Sequence, residues 1–175
     1  HACMRRAICP TLVLSDLAQG NLASLLALLS ELTRGTSRIA QLDARHDTEQ
    51  QDTLLTWAAR HGQAEAARLL LDSGASVGAT TGGGASALYI ACQEGQIDCA
   101  RLLVEAGAAT DRADAEGCRP LLIASQEGHL DCVRLLLEAG AAVAQADAEG
   151  RTPLYVTCRE GHLEIARLLR DAGAA

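Results

Sequence analysis

Three glycine-anchored signatures return along this chain at a single offset, and that regularity excludes one irregular globular core. Asp114-Ala115-Glu116-Gly117 recurs as Asp147-Ala148-Glu149-Gly150, Glu127-Gly128-His129-Leu130 as Glu160-Gly161-His162-Leu163, and Glu138-Ala139-Gly140 as Asp171-Ala172-Gly173, each displaced by 33 residues. Further steps of 33 carry Gly128 back to Gly95 and Gly62, and Gly140 back to Gly107 and Gly74, so the period runs from about Asp47 to Ala175. A fixed period of roughly 20–50 residues marks stacked supersecondary units that bury their apolar faces against neighbours.

Within one unit the signals read turn, short helix, turn, longer helix. Pro120 and Pro153 suit the first helical position, where a missing N–H is no loss. Gly128 and Gly161 are placed to end that helix in the left-handed conformation, and Leu130-Asp131-Cys132-Val133-Arg134-Leu135-Leu136-Leu137 has the apolar spacing of a second helix ending near Gly140. The predicted fold class is an all-α repeat solenoid of antiparallel helix pairs joined by β-turn or hairpin loops.

These residues resemble the ankyrin repeat: Gly150-Arg151-Thr152-Pro153-Leu154, then Gly161-His162-Leu163-Glu164-Ile165-Ala166-Arg167-Leu168-Leu169, then Ala172-Gly173-Ala174. The likeness covers about three quarters of the chain and keeps the family's 33-residue length. Two departures bear on hydrogen bonding in the first turn. The histidine of the family's Thr-Pro-Leu-His turn is Thr56, Tyr89, Leu122 and Tyr155 here, and its proline is Leu54 and Ala87 in the first two units.

The period divides the chain into repeats at 47–79, 80–112, 113–145 and 146–175, preceded by a degenerate N-terminal capping segment at 1–46. In that segment Gly20 precedes Gly62 by 42 residues rather than 33, so Thr33 to Asp52 is expected to carry an insertion, read as a solvated connector or as a partner-contacting finger. Met4 to Leu14 faintly resembles a signal peptide, and an N-terminal cap strand or helix is the preferred reading. The ending Ala174-Ala175 and the start His1-Ala2-Cys3 suggest a piece of a longer array, with further repeats or another domain beyond it.

All fifteen Lys+Arg residues are arginine, which removes any Walker-type phosphate lysine or Schiff base. A net charge of −7 argues against a nucleic-acid partner, which needs clustered cations. The apolar run Leu22 to Leu32 is broken by Ser24, Ser30 and Glu31 and is too short for a membrane span.

Seven cysteines with no CxxC pair and an odd count fit a reducing, intracellular, cytoplasmic compartment. In register, Cys92 and Cys158 share a core column with Ala59 and Ser125, and Cys99 and Cys132 share one with Ala66 and Ile165, whereas Cys118 falls at a loop position. No metal site is expected, because Cys92 and Cys99 lie on different helices without the usual ligand spacing. His129 and His162 follow glycine in equivalent positions and are expected to fix the inter-helix turn, while His61 and His46 are expected at the surface without a catalytic partner. Thr80-Thr81-Gly82-Gly83-Gly84 lacks the lysine and strand of a phosphate loop, and Asp111, Asp114 and Glu116 miss the EF-hand spacing. No catalytic residue and no cofactor follow, and the chain is read as not an enzyme.

The resemblance implies a curved stack whose loop tips and first helices form a concave recognition face. By register the loop-tip and first-helix positions begin with Asp47, Glu49, Gln50 and Asp52, and the partner-binding residues expected are Arg60, His61, Tyr89, Gln93, Glu94, Glu116, Cys118, Gln126, Glu127, Glu149, Arg151, Tyr155, Arg159 and Glu160. Complementary charge favours a partner with a basic surface. Aligning 113–142 with 146–175 gives eighteen identities in thirty, which points to recent duplication and weak selection on this face. The function read from the sequence is a non-catalytic protein–protein interaction module. The alternatives are a regulatory or substrate-docking segment of an enzyme catalytic elsewhere, and a structural spacer or engineered stack without a dedicated ligand. Self-association through the C-terminal face is a further expectation.

Overall fold

The computed structural model describes Asp16 and residues 22–32, 42–44 and 52–174. A helix α1 (Ala23–Leu32) precedes four helix pairs: α2 (Leu54–Arg60) with α3 (Ala64–Asp72), α4 (Ala87–Gln93) with α5 (Ile97–Glu105), α6 (Pro120–Glu127) with α7 (Leu130–Glu138), and α8 (Pro153–Glu160) with α9 (Leu163–Asp171). Among the described residues there is no β-strand, only an antiparallel bridge between Thr80 and Ser86.

In three of the four pairs the first helix starts where a short hydroxyl side chain can reach its exposed N–H groups. Thr53, Ser86 and Thr152 each accept from the backbone N–H three residues on, at 3.2 Å. Those bonds answer the departures from the Thr-Pro-Leu-His turn. In the first pair Thr56 completes a capping box, its hydroxyl accepting from the Thr53 N–H at 2.8 Å. The third pair has Arg119 in place of the hydroxyl residue and begins with Pro120, which needs no N–H partner. At the other end Gly128 and Gly161 adopt φ of 80° and 83°, the left-handed caps expected of them.

Repeats stack because the same positions are apolar in every unit. Leu70, Leu103, Leu136 and Leu169 form one fully buried column, and Leu55, Leu88 and Leu121 form another. Each such leucine contributes roughly 2 kcal/mol of apolar burial. The first helices pack more closely on one another than the second helices do, and at seven or eight residues they are also shorter than the nine-residue second helices. The face that the first helices form with the loop tips, on this more closely packed side, is the inner face.

Polar contacts between units repeat with the same period. The Ala115 N–H donates to the Gly83 carbonyl at 3.1 Å and the Ala148 N–H to the Glu116 carbonyl at 3.2 Å, stitching successive loop tips together. His129 and His162 act between units and not within their own turns, which corrects the expectation. His129 Nε2 donates to the Gln93 carbonyl at 3.1 Å and His162 Nε2 to the Gln126 carbonyl at 3.0 Å. Neither ring caps its own helix, because the imidazole reaches back over the glycine of the preceding unit.

The stretch from Thr33 to Asp52, expected as a solvated connector, contributes to the core where it is described. Leu42 is fully buried, as is Leu25 of α1. Asp43 Oδ1 accepts the Ser76 N–H at 2.9 Å, the role that Asp111 plays toward Ala142 at the same distance. The signal-peptide resemblance at Met4 to Leu14, His46, and the loop positions Asp47, Glu49 and Gln50 lie outside the described residues.

Cys92, Cys99 and Cys132 are buried, in keeping with core columns. Cys158 is the correction: it shares the column of Ala59, Cys92 and Ser125 but is exposed, because no described helix pair covers that side of α8. Cys118, singled out as a loop position, is in a loop yet buried.

Candidate functional site

The inner face is assembled from two columns at the ends of the first helices and from the loop tips. Arg60, Gln93, Gln126 and Arg159 form one column, each half-buried except Arg159, which is exposed. His61, Glu94, Glu127 and Glu160 form the next and are all exposed. Glu116 and Glu149 stand exposed at loop tips, with Arg151 half-buried behind Glu149.

Two of the loop tips hold their shape through an aspartate at the start of the turn. Asp114 Oδ1 accepts the Glu116 and Cys118 N–H groups, both at 2.9 Å. Asp147 Oδ1 accepts those of Glu149 at 3.0 Å and Arg151 at 2.9 Å, and Arg151 Nε donates to Asp147 Oδ2 at 2.6 Å. Burial pushes the Asp147 carboxyl upward, but these backbone bonds and the Arg151 guanidinium outweigh it and hold the group below its ordinary range. The two aspartates were missed as site-forming residues, although their position three residues before a turn glycine is the available signal.

Charges on this face are unevenly neutralised. Arg60 pairs with the buried Asp52 at 3.0 Å and reaches Glu94 at 3.6 Å. Arg151 lies 3.4 Å from Glu149, and Arg159 lies 2.7 Å from Glu160. Glu127 accepts only from the neutral Gln126 amide, at 3.1 Å. Neither Glu127 nor Glu116 has a cationic side chain within ion-pair distance among the described residues. Glu116 and Glu127, in the middle of the face, thus lack the ion pairs that Glu94, Glu149 and Glu160 make.

Three of the residues expected at this surface are beneath it. Asp52 is buried under Thr56 and Arg60, with the Thr56 hydroxyl donating to its Oδ1 at 3.0 Å. Cys118 occupies the equivalent place two units on, its Sγ 3.8 Å from Asp147 Oδ2, because the chain after the turn glycine tucks beneath the next loop. Burial and then the Asp114 carboxylate push its thiol up to about 11. Tyr89 is buried too, and burial followed by Asp114 raises its hydroxyl pKa strongly. Tyr155, the same position in the last unit, is 55 % exposed. Trp57 is buried with its ring centroid 4.2 Å from that of the exposed His61.

The groups this face exposes are carboxylates, guanidiniums and amides. Among the described residues no group of three or more His, Cys, Asp or Glu side chains converges as a metal would require, and no helix is long and apolar enough to cross a membrane. A depression of about 360 Å³ lies between α3 and α5, but Arg68, Asp98, Arg101 and Glu105 dominate its lining, unlike the apolar pockets that hold small molecules.

A search of curated proteins returned no match. The family model described as Ankyrin repeats (3 copies) matches residues 16–114 and 108–175. With helix pairs, turn glycines and loop aspartates all in one 33-residue register, and that model spanning nearly the whole length, the chain belongs to the ankyrin-repeat family.

Proposed function

We propose that this chain is a non-catalytic protein-binding module whose inner face, centred on Glu116 and Glu127, takes a partner presenting a basic segment. Ankyrin repeats are generally protein–protein interaction modules and typically non-catalytic. The observation that carries the finer reading is the uneven charge of that face. Glu94, Glu149 and Glu160 already have arginine partners, whereas Glu116 and Glu127 have none. A cationic side chain brought to them gains Coulomb energy without displacing an existing ion pair, and the acidic face raises the encounter rate.

The test is affinity capture from a lysate with the wild-type chain and with a Glu116→Arg/Glu127→Arg variant. Both sites are exposed, so the variant is expected to keep its helical circular dichroism. A partner retained by the first bait and weakened about tenfold or more with the second supports the reading. Identical retention by both baits contradicts it.

A further inference from the structure

Two core columns meet at every junction between repeats, and at one junction both positions hold cysteine. The reach is set by Cys99 of α5, whose Sγ donates at 3.9 Å to the carbonyl of Ala58 in the preceding unit, beside Ala59. In that register the facing pairs are Ala59 with Cys99 and Ser125 with Ile165, and between them, across the second and third repeats, Cys92 with Cys132. Both of these thiols are buried. The Cys92 S–H donates to Cys132 Sγ, so the two sulfurs are in contact.

The two sulfurs differ in access and in acidity. A depression of about 230 Å³ at this junction is lined by Gly95, Gly128, His129 and Cys132, which gives a molecule little larger than water a way to Cys132. The bond from Cys92 holds the Cys132 thiol below its ordinary range, against burial and the Asp131 carboxylate, and raises that of Cys92. Cys132 is thereby the better nucleophile and Cys92 the thiol placed to resolve what it forms.

We propose that Cys92 and Cys132 are a redox modification site, which a hydroperoxide converts to a disulfide that ties the second repeat to the third. The Cys132 thiolate attacks one peroxide oxygen, the O–O bond breaks, and Cys132 becomes a sulfenic acid while the other oxygen leaves as hydroxide and takes up the thiol proton as water. Cys92 sulfur then attacks Cys132 Sγ. The S–S bond forms, the S–O bond breaks, and the departing hydroxide leaves as water with the Cys92 proton. Two thiols are oxidised and one hydrogen peroxide is reduced to two waters. This site is independent of the inner-face reading and uses neither Glu116 nor Glu127.

The test uses the full chain with Cys3→Ser/Cys9→Ser/Cys158→Ser, treated with hydrogen peroxide while folded, then denatured and alkylated for mass spectrometry. Single variants Cys92→Ala and Cys132→Ala carry the residue that the same columns hold in the first repeat, Ala59 and Ala66, so both are expected to fold, as circular dichroism will check. The expected result is a background chain that loses two alkylatable thiols and two hydrogens of mass, with a melting temperature higher by about 5 °C or more, all reversed by dithiothreitol. Neither single variant is expected to form a disulfide, and Cys92→Ala is expected to hold a sulfenic acid at Cys132 that dimedone traps. A background chain that keeps all its thiols overturns the proposal, as does a disulfide that persists in either variant or that joins two chains.

Discussion

Replacing Gly128 by alanine, compared with the same change at Gly161, separates backbone strain from the packing between units. Both glycines have a left-handed φ near 80°, so alanine costs roughly 1–2 kcal/mol at either site from conformation alone. They differ in surroundings. A Cβ on Gly128 would lie 2.5 Å from Cε1 of His162, whereas one on Gly161 would have nothing within 4 Å. At Gly128 the imidazole must therefore move, and its bond to the Gln126 carbonyl is lost, adding about 1 kcal/mol or more. Gly161→Ala is expected to cost about 1–2 kcal/mol and Gly128→Ala about 2–3 kcal/mol, read by urea unfolding followed by far-UV circular dichroism. Because a stack can fray from its last unit, the decisive comparison is a double-mutant cycle. With His162→Ala in the background, the excess at Gly128 should fall by about 1–2 kcal/mol while the cost at Gly161 stays the same. Equal costs at the two glycines, or no coupling between Gly128 and His162, would refute the inter-unit role of the histidine.

Other outcomes follow from the same geometry. Thr53→Ala removes a cap from α2 and should lower stability by about 1 kcal/mol in the same unfolding assay; no change would remove the hydroxyl from the account of that turn. Asp147→Ala strips the last loop of two backbone bonds and an ion pair and should cost roughly 2 kcal/mol, with amide exchange at Glu149 and Arg151 accelerated. Since the folded Asp147 carboxyl titrates below its unfolded value, its contribution is present above about pH 4 and lost as pH falls further, so Asp147→Asn should flatten the acid limb of a melting-temperature profile. The Cys99 thiol, pushed up to about 11 by burial and then by Asp98, has the opposite sign. Its contribution is full below about pH 8.5 and lost as pH rises toward 11, so Cys99→Ala should lessen the alkaline fall in stability, and an unchanged alkaline limb would contradict the assignment.

The parts of the architecture that depend on local signals were legible in the sequence. Proline at the first helical position, glycine at the cap and paired leucines on the second helix each act within a few residues, and the 33-residue register multiplies them. What stayed hidden depends on which neighbouring unit covers a position. Cys158 and Tyr155 share columns with buried residues and are exposed because exposure belongs to the place in the stack. Asp52 and Cys118 share a column expected at the surface and are buried, Asp52 beneath Thr56 and Arg60 and Cys118 against Asp147 of the next loop. The histidines carried a signal for position but none for reach. That each ring lies over the glycine of the preceding unit requires the stacking distance, which no single repeat encodes. Glu116 and Glu127 were legible as acidic. That they, among the face's described glutamates, lack an arginine within ion-pair distance was visible only once Arg60, Arg151 and Arg159 had been placed beside Glu94, Glu149 and Glu160.

The most direct test of the central claim is amide hydrogen exchange on the chain with and without the partner that the Glu116/Glu127 capture identifies. The inner-face reading predicts slowed exchange at the loop tips 82–84, 115–117 and 148–150 and at the ends of α4 and α6, with α5 and α7 unchanged. Protection confined to the second helices, with the loop tips exchanging as freely as before, would place the partner on the opposite side and contradict it.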